Sequence, residues 1–373
     1  MYYLVFILLC LLFGYCGYVQ NAIVKDRKTQ YFFRVCLIIL LSYNVALFSE
    51  NSNDHIGYVD MYNDINNVLI QFDDFGNLFS DRHTGMEIGY LLLNKLFHSL
   101  GFTADGFLLF VSILTNTLFV LALYKFNKYP LFCILSFLST GVYLQESNLV
   151  RQCLAISMFI YSVPWILDQK SLWKYVMFII CAGLIHTSAL LMIPLAAFKY
   201  IDIDKYHYKI SYYLMIFWIM SIAVKIGIID INFLLDKISF LSYYDMYLVT
   251  ENNVGIGDMT LYALLYDLCV LVYFLTFEYN KKVIYLYSIL FVFGSILTNI
   301  SVALPNIYRI SLYFAICQTL LLSLFIAESV KLKYKHVSYI SFALLLCYYL
   351  WRVGDQFVHG ISPESYAIAL FRS

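Results

Sequence analysis

Residues 145–152, Gln-Glu-Ser-Asn-Leu-Val-Arg-Gln, are polar and immediately precede the apolar run 153–167. Arg151 thus stands at the mouth of a segment with the composition of a membrane-buried helix. A fixed charge is costly there and marks a functional-site hypothesis. Arginine suits phosphate because its planar guanidinium is always charged and can bind two oxygens at once. Asn148 and Gln152 share a helical face with Arg151. We predict that the three bind an anionic, lipid-borne substrate.

A second arginine occurs late in the chain in a comparable position. Arg309 ends the turn 304–309 before an apolar run, and Tyr313 follows four residues later. Two arginines at separate external helix ends would form a clamp for a diphosphate. The alternative for each is an interfacial arginine whose stem lies in lipid and whose charged end reaches water.

Two further residues are of types that perform acid–base chemistry. Glu87 opens the short apolar run 88–100, and His186 lies among small residues in the run 175–198. A reaction at a hydroxyl group needs a base near it in the transition state. Glu87 is the first choice, His186 the second and Asp54 a distant third. A surface glutamate and a packing histidine are the alternative interpretations.

The polar segment 50–85 carries seven acidic residues, one arginine and no lysine, which is typical of an external loop. Asp54, Tyr58 and Tyr62 follow one another at intervals of four, so they would line one face if the loop is helical. An acid with tyrosines suits sugar binding, and Tyr90 follows soon after in the chain. The alternative is an amphipathic helix that lies on the lipid headgroups.

The composition of the whole chain indicates its class. Of the 373 residues, 62% are hydrophobic and 13% are charged, against about 25% charged in a soluble domain. Apolar runs long enough to cross a bilayer recur from end to end, so the sequence predicts an all-α, polytopic membrane protein. The formal charge is zero, which disfavours nucleic acid as a partner.

Short basic turns and long acidic segments predict the topology, because basic turns stay on the cytoplasmic side. Residues 2–19 form a retained first helix rather than a cleaved signal peptide. The external segments are 50–104, with an interfacial or re-entrant helix at 88–100, and a second loop at 230–258. With about 11–12 helices in total, one transmembrane domain covers 1–373. The further spans are 35–49, 105–124, 129–144, 153–167, 259–277, 283–303, 309–329 and 337–353.

The stretch 175–198 makes this topology inconsistent unless the chain crosses an even number of times between 170 and 230. One solution is a broken hairpin with His186 at its bend. The other places 199–209 outside and makes 210–257 irregular. Broken helices occur at membrane depth where they line a wet cavity.

Motifs of soluble enzymes are missing from the sequence. There is no P-loop, no G-x-S-x-G, no H-E-x-x-H and no G-x-G-x-x-G. The nine cysteines form no C-x-x-C pair or zinc spacing, and most lie in apolar runs, which indicates small buried side chains. We expect no metal site and no cofactor.

Five short motifs follow one another along the chain: Asp54-x-x-x-Tyr58-x-x-x-Tyr62, Glu87-x-Gly-Tyr90, Asn148-x-x-Arg151-Gln152-x-x-Ala155, His186-x-Ser-Ala189 and Arg309-x-x-x-Tyr313. This ordered set resembles the EpsG family of bacterial exopolysaccharide proteins, a branch of the Wzy-type polymerases, and the resemblance covers nearly the whole chain. The third and fourth motifs, Asn-x-x-Arg-Gln and His-x-Ser-Ala, are its strongest parts.

This resemblance implies a glycosyltransferase of the bacterial inner membrane that polymerises O-antigen for lipopolysaccharide, capsule or exopolysaccharide. It would transfer a growing chain from undecaprenyl diphosphate onto the next lipid-linked repeat unit, at a site facing the periplasm. Arg151 and Arg309 would stabilise the leaving diphosphate. A co-polymerase that regulates chain length is a further partner to consider. The alternatives are a flippase or transporter of lipid-linked oligosaccharide, an O-antigen ligase-like transferase, and an assembly subunit.

Overall fold

The computed structural model describes most of the first 229 residues and part of the region from 282 to 321. Every regular element in these ranges is helical, and they contain no β-strand, which confirms the predicted all-α class. One helix among them, Ala104–Tyr124, is long and apolar enough to cross a membrane. The described ranges are 2–19, 27–49, 54–68, 86–125, 133–134, 137–138, 141–168, 171–229, 282–301, 305–317 and 319–321.

Several predicted segments fall outside these ranges. They are the external loop 230–258, the spans 259–277 and 337–353, and half of the span 129–144. The number of membrane spans stays a prediction. The described residues up to Lys199 form one compact unit and those from Tyr200 onward form another. The prediction of a single membrane domain stays a prediction as well.

The first unit contains the helices that carry most of the predicted site. A 3₁₀ turn, Val163–Ile166, follows the seventh helix, and a 3₁₀ segment, Thr187–Tyr200, follows the eighth. The helices are α1 Tyr2–Val19, α2 Arg27–Ser49, α3 His55–Asn63, α4 Ile88–Ser99, α5 Ala104–Lys125, α6 Gly141–Gln145, α7 Val150–Ser162 and α8 Leu172–Ile185.

Helix α5 packs against α2, α3, α4 and α7, and α8 packs against α4 and α7. Phe107 of α5 holds the aromatic part of this core together. Its ring centroid lies 5.2 Å from that of Tyr62, 5.5 Å from that of Phe97 and 5.7 Å from that of Tyr90. Aromatic pairs at such distances contribute about 0.5–1.5 kcal/mol each beyond their burial. Helices α3 and α4 are thereby fixed to the apolar helix α5.

The run 175–198 breaks at the histidine. Helix α8 ends at Ile185, and His186 is extended, with φ −154° and ψ 114°. The hydroxyl of Tyr175, near the start of α8, donates to the carbonyl of Met192 at 2.7 Å. A residue of the 3₁₀ segment can reach the start of α8 only if the chain folds back beside that helix. The structure therefore contains the broken hairpin with His186 at its bend.

The second unit contains α9 Ile203–Lys225, α10 Lys282–Ile300 and α11 Pro305–Ala315. Trp218 of α9 donates its ring N–H to Ser295 of α10 at 3.2 Å. Arg309 and Tyr313 lie one turn apart on α11, as predicted from their spacing. Arg309 is exposed, whereas Tyr313 is fully buried.

Candidate functional site

A glycine brings the start of α4 against the end of α8. A Cβ added at Gly89 would lie 2.6 Å from the carbonyl oxygen of Leu184, which is far inside van der Waals contact with the backbone. Any larger residue would therefore push α4 away from α8. This close approach places Glu87, which directly precedes α4, beside the bend at His186.

Glu87 is the centre of the cluster that results. It is 4% exposed, and its carboxylate forms an ion pair with the guanidinium of Arg151 from α7. Its other oxygen lies 2.8 Å from Nδ1 of His186 and accepts the backbone N–H of Thr187 at 3.0 Å. A charged, buried carboxylate is stable only with such partners. Glu87, Arg151, His186 and Thr187 thus come from three separate segments, and we call these four residues the Glu87 cluster.

These contacts determine the charge of Glu87, which lies before α4 and outside the apolar helices. Burial alone would raise the pKa of Glu87, but the hydrogen bond with His186, the charge of Arg151 and the N–H of Thr187 outweigh burial and lower the pKa to about 2. An ionised carboxylate only accepts hydrogen bonds. The proton of a neutral His186 therefore lies on Nδ1, and its Nε2 has a free lone pair.

Arg151 is the second residue of α7, and its guanidinium faces two tyrosine rings. The guanidinium carbon lies 6.0 Å from the ring centroid of Tyr58 and 5.8 Å from that of Tyr90. Tyr58 also donates to the carbonyl of Asn148 at 3.4 Å. Its Nε is a buried donor without a hydrogen-bond partner among the described residues. The side chain of Arg151 remains 20% exposed, so part of it is open to an anion.

The structure brings together six of the residues predicted from the sequence. Glu87, Arg151, His186, Tyr58, Tyr90 and Asn148 meet in the Glu87 cluster or contact it. Three more lie elsewhere in the first unit: Asp54 is exposed at the start of α3, Tyr62 donates to Phe102 O at 2.8 Å in the aromatic core, and Gln152 is buried in α7. Arg309 and Tyr313 belong to the second unit.

Two contributors were missed by the sequence analysis. The backbone N–H of Thr187 binds Glu87, and this contact depends on the bend rather than on the side chain. Glu146 is 2% exposed and is bound by Ser112 and Asn116 of α5. A lone acid between two apolar runs was a signal that could have identified Glu146. Within the described ranges, no group of three or more His, Cys, Asp or Glu side chains could hold a metal ion.

The fold is helical, and the site is a buried carboxylate that binds an arginine and a histidine. Residues 31–359 match the EpsG family. The chain belongs to the EpsG family, which confirms the resemblance seen in its motifs. Membership supports a membrane location and a polymerase-like function in polysaccharide biosynthesis. No curated protein and no solved structure matches the chain.

Proposed function

We propose that the chain polymerises lipid-linked oligosaccharide repeat units at the outer face of the bacterial inner membrane. The donor is a growing glycan on undecaprenyl diphosphate, and the acceptor is the next lipid-linked unit. The observation that carries the proposal is the Glu87 cluster, in which an arginine with spare donors lies beside an oriented histidine. The family supports the general function and leaves the donor to be tested.

The bonds change in one displacement. The acceptor hydroxyl oxygen attacks the anomeric carbon of the donor, the bond from that carbon to the diphosphate oxygen breaks, and the hydroxyl proton moves to Nε2 of His186. Glu87 holds the ring by its Nδ1–H and stabilises the imidazolium that forms, which is the role of a carboxylate in other base–histidine pairs. The oxygens of Glu87 are already bound by Arg151, His186 and the N–H of Thr187, so His186 replaces Glu87 as our first choice.

Arg151 stabilises the leaving group in this proposal. Negative charge builds on the diphosphate as the bond breaks, and the guanidinium offers preorganised donors in a site that is mostly closed to water. Removing one such donor typically costs about 3–4 kcal/mol of barrier, or roughly 10²–10³-fold in rate. Tyr58, Tyr90 and Asn148 border the same space and would contact the sugar or the diphosphate. Arg309 is proposed as a second diphosphate ligand.

The test compares Arg151→Ala with Arg34→Ala in cells that lack the native chain. Arg34 is a matched control because its guanidinium also lies near a tyrosine ring, 4.2 Å from the centroid of Tyr124, but outside the Glu87 cluster. At equal protein levels we expect Arg151→Ala to leave single repeat units on the lipid anchor and Arg34→Ala to make long chains. Long chains from Arg151→Ala would refute the proposal.

Gels of the surface polysaccharide from these cells also separate the alternative functions. Loss of a polymerase leaves one repeat unit attached to the anchor at the surface. Loss of a flippase leaves no repeat unit at the surface, and loss of a ligase leaves long chains that are not attached. Either of the last two patterns in cells without this chain would replace the proposed activity.

A further inference from the structure

A second buried carboxyl group lies in the turn that joins α6 to α7. Glu146 accepts a hydrogen bond from the Ser112 hydroxyl at 2.8 Å, and the amide of Asn116 lies 2.9 Å from one of its oxygens and 3.2 Å from the other. Ser112 and Asn116 are four residues apart on α5, so they present one face to the turn. Neither is charged, and no cationic side chain in the described ranges contacts Glu146.

A small cavity lies directly beside this carboxyl group. Its volume is about 20 Å³, and it is lined by Glu146, Ser147, Ser112 and Thr115 together with valine and leucine side chains. One water molecule fits such a space. Thr115 is 1% exposed, and its hydroxyl has no hydrogen-bond partner among the residues that the structure describes.

The surroundings of Glu146 disfavour a negative charge. An unpaired buried carboxylate is costly and normally takes up a proton instead. Burial raises the pKa of Glu146 to about 8, although the hydrogen bonds from Ser112 and Asn116 lower it in part. The ionisable group that faces it from α7 is the Cys153 thiol, which donates to the Val142 carbonyl. The groups facing it from α2 and α5 are uncharged.

We propose that Glu146 is a positioning residue that acts as a neutral carboxylic acid. It fastens the turn before α7 to the middle of α5, and this turn carries Asn148 and leads into Arg151. Its effect on polymerisation therefore rests on the proposed function, whereas its protonation does not. Ionisation would place an unpaired charge at the joint and loosen the start of α7.

The protonation is tested by the pH dependence of thermal unfolding in lipid nanodiscs. The folded state holds the proton more tightly than the unfolded state, whose carboxyl has a pKa near 4.5. The stabilisation from Glu146 is therefore complete below pH 4.5 and is lost as the pH rises to about 8. Glu146→Gln, which is neutral at every pH, should remove that part of the slope. An identical slope in wild type and Glu146→Gln would overturn the proposal.

The positioning role is tested by comparing the lengths of the polysaccharide chains that three variants make in cells lacking the native chain. Glu146→Gln should keep long chains because glutamine can replace a neutral acid, and Glu146→Ala should shorten them. Glu146→Asp should fall between the two, since its carboxyl is one methylene too short to reach Ser112 and Asn116. Chains from Glu146→Gln as short as those from Glu146→Ala would show that the negative charge matters and would overturn the proposal.

A bound sodium ion is the competing explanation for a carboxyl beside a cavity. If replacing sodium with choline lowers the unfolding temperature of the wild type but not of Glu146→Gln, the site binds a cation and our proposal is wrong. Equal unfolding temperatures in both salts would support the neutral acid. If Arg151→Ala keeps polymerising, the proposed function fails while the pH comparison of Glu146 remains valid.

Discussion

Glu87 and Glu146 are buried to nearly the same degree, at 4% and 2% exposure, but their partners differ in charge. Glu87 meets an arginine, a histidine and a backbone N–H, and its pKa falls to about 2. Glu146 meets a hydroxyl and an amide, and its pKa rises to about 8. Burial raises the pKa of both, so the partners decide which carboxyl ionises. The first unit thus holds an ionised carboxyl group that binds Arg151 of α7 and, in our proposal, a neutral carboxyl group in the turn before α7.

The largest effect should come from replacing Glu87 with glutamine. The change removes the negative charge and leaves Arg151 buried without its partner, which typically costs about 3–5 kcal/mol of stability. We expect Glu87→Gln to lower the unfolding temperature and abolish polymerisation, whereas Glu146→Gln preserves both. Thermal unfolding in nanodiscs and the polymer gel provide the readouts. Equal tolerance of the two substitutions would remove the distinction between the two glutamates.

The stabilisation that Glu87 contributes and the stabilisation that Glu146 contributes should depend on pH in opposite directions. The pKa of Glu87 is lowered by folding, so its stabilisation is complete above the unfolded value of 4.5 and is lost as the pH falls towards 2. The stabilisation from Glu146 is lost in the other direction, as the pH rises from 4.5 to about 8. The difference between wild type and each glutamine variant isolates each contribution. Slopes of the same sign would contradict the comparison.

The next effect concerns the base in the charged cluster. His186→Asn keeps a polar side chain at the bend but removes the nitrogen that would accept the hydroxyl proton. General base catalysis contributes roughly 10²–10⁴-fold, so we expect a loss of that size in the rate of chain extension, measured with purified lipid-linked substrate.

His98→Asn is the matched control for this substitution. His98 lies on α4 against Tyr62 and Asn66, outside the Glu87 cluster, and its replacement should leave the rate within a few-fold of wild type. A His186→Asn enzyme with unchanged rate would assign the base to another residue.

A methyl group added at Gly89 should push α4 away from α8 without replacing any residue of the Glu87 cluster. At Gly89 an alanine Cβ would meet the Leu184 carbonyl at 2.6 Å, while at Gly57 it would meet nothing within 4 Å. Overpacking of this kind typically costs about 1–3 kcal/mol. We expect Gly89→Ala to lower both the unfolding temperature and the rate, because it moves Glu87 away from His186.

Gly57→Ala is expected to be neutral or stabilising, since Gly57 lies inside α3 and alanine favours a helix by up to about 1 kcal/mol. The two variants differ by the same single methyl group. If both leave the unfolding temperature unchanged, the close approach of α4 and α8 does not hold the cluster together.

The contrast between the two glutamates also explains what the sequence could predict. The apolar run 105–124 corresponds to α5, because an apolar run of that length favours a single long helix. The residue types of Glu87, Arg151 and His186 made them candidates for one site, since charged groups at the ends of apolar runs are rare, and the structure places the three in contact. The ion pair and the histidine contact join residues 64 and 99 positions apart, and helical periodicity does not predict such contacts.

The polar partners of Glu146 were beyond the sequence for a related reason. Ser112 and Asn116 read as ordinary polar residues within an apolar helix, and only packing against the turn shows that they bind the same carboxyl. The pairing of Arg309 with Arg151 stays a prediction, because the two residues belong to different units. Residue types therefore pointed to the Glu87 cluster, whereas the tertiary contacts were needed to find the partners of Glu87 and of Glu146.

The smallest effect should come from a hydroxyl group at the edge of the charged cluster. Tyr58→Phe removes a long hydrogen bond, 3.4 Å, to the Asn148 carbonyl but keeps the ring beside Arg151. Hydrogen bonds contribute about 0.5–1.5 kcal/mol net, and a long one belongs at the lower end. Tyr62→Phe removes a 2.8 Å bond to Phe102, so it should lower the unfolding temperature more and the rate less. A rate loss from Tyr58→Phe as large as that from Tyr58→Leu would show that the hydroxyl, rather than the ring face, acts on the substrate.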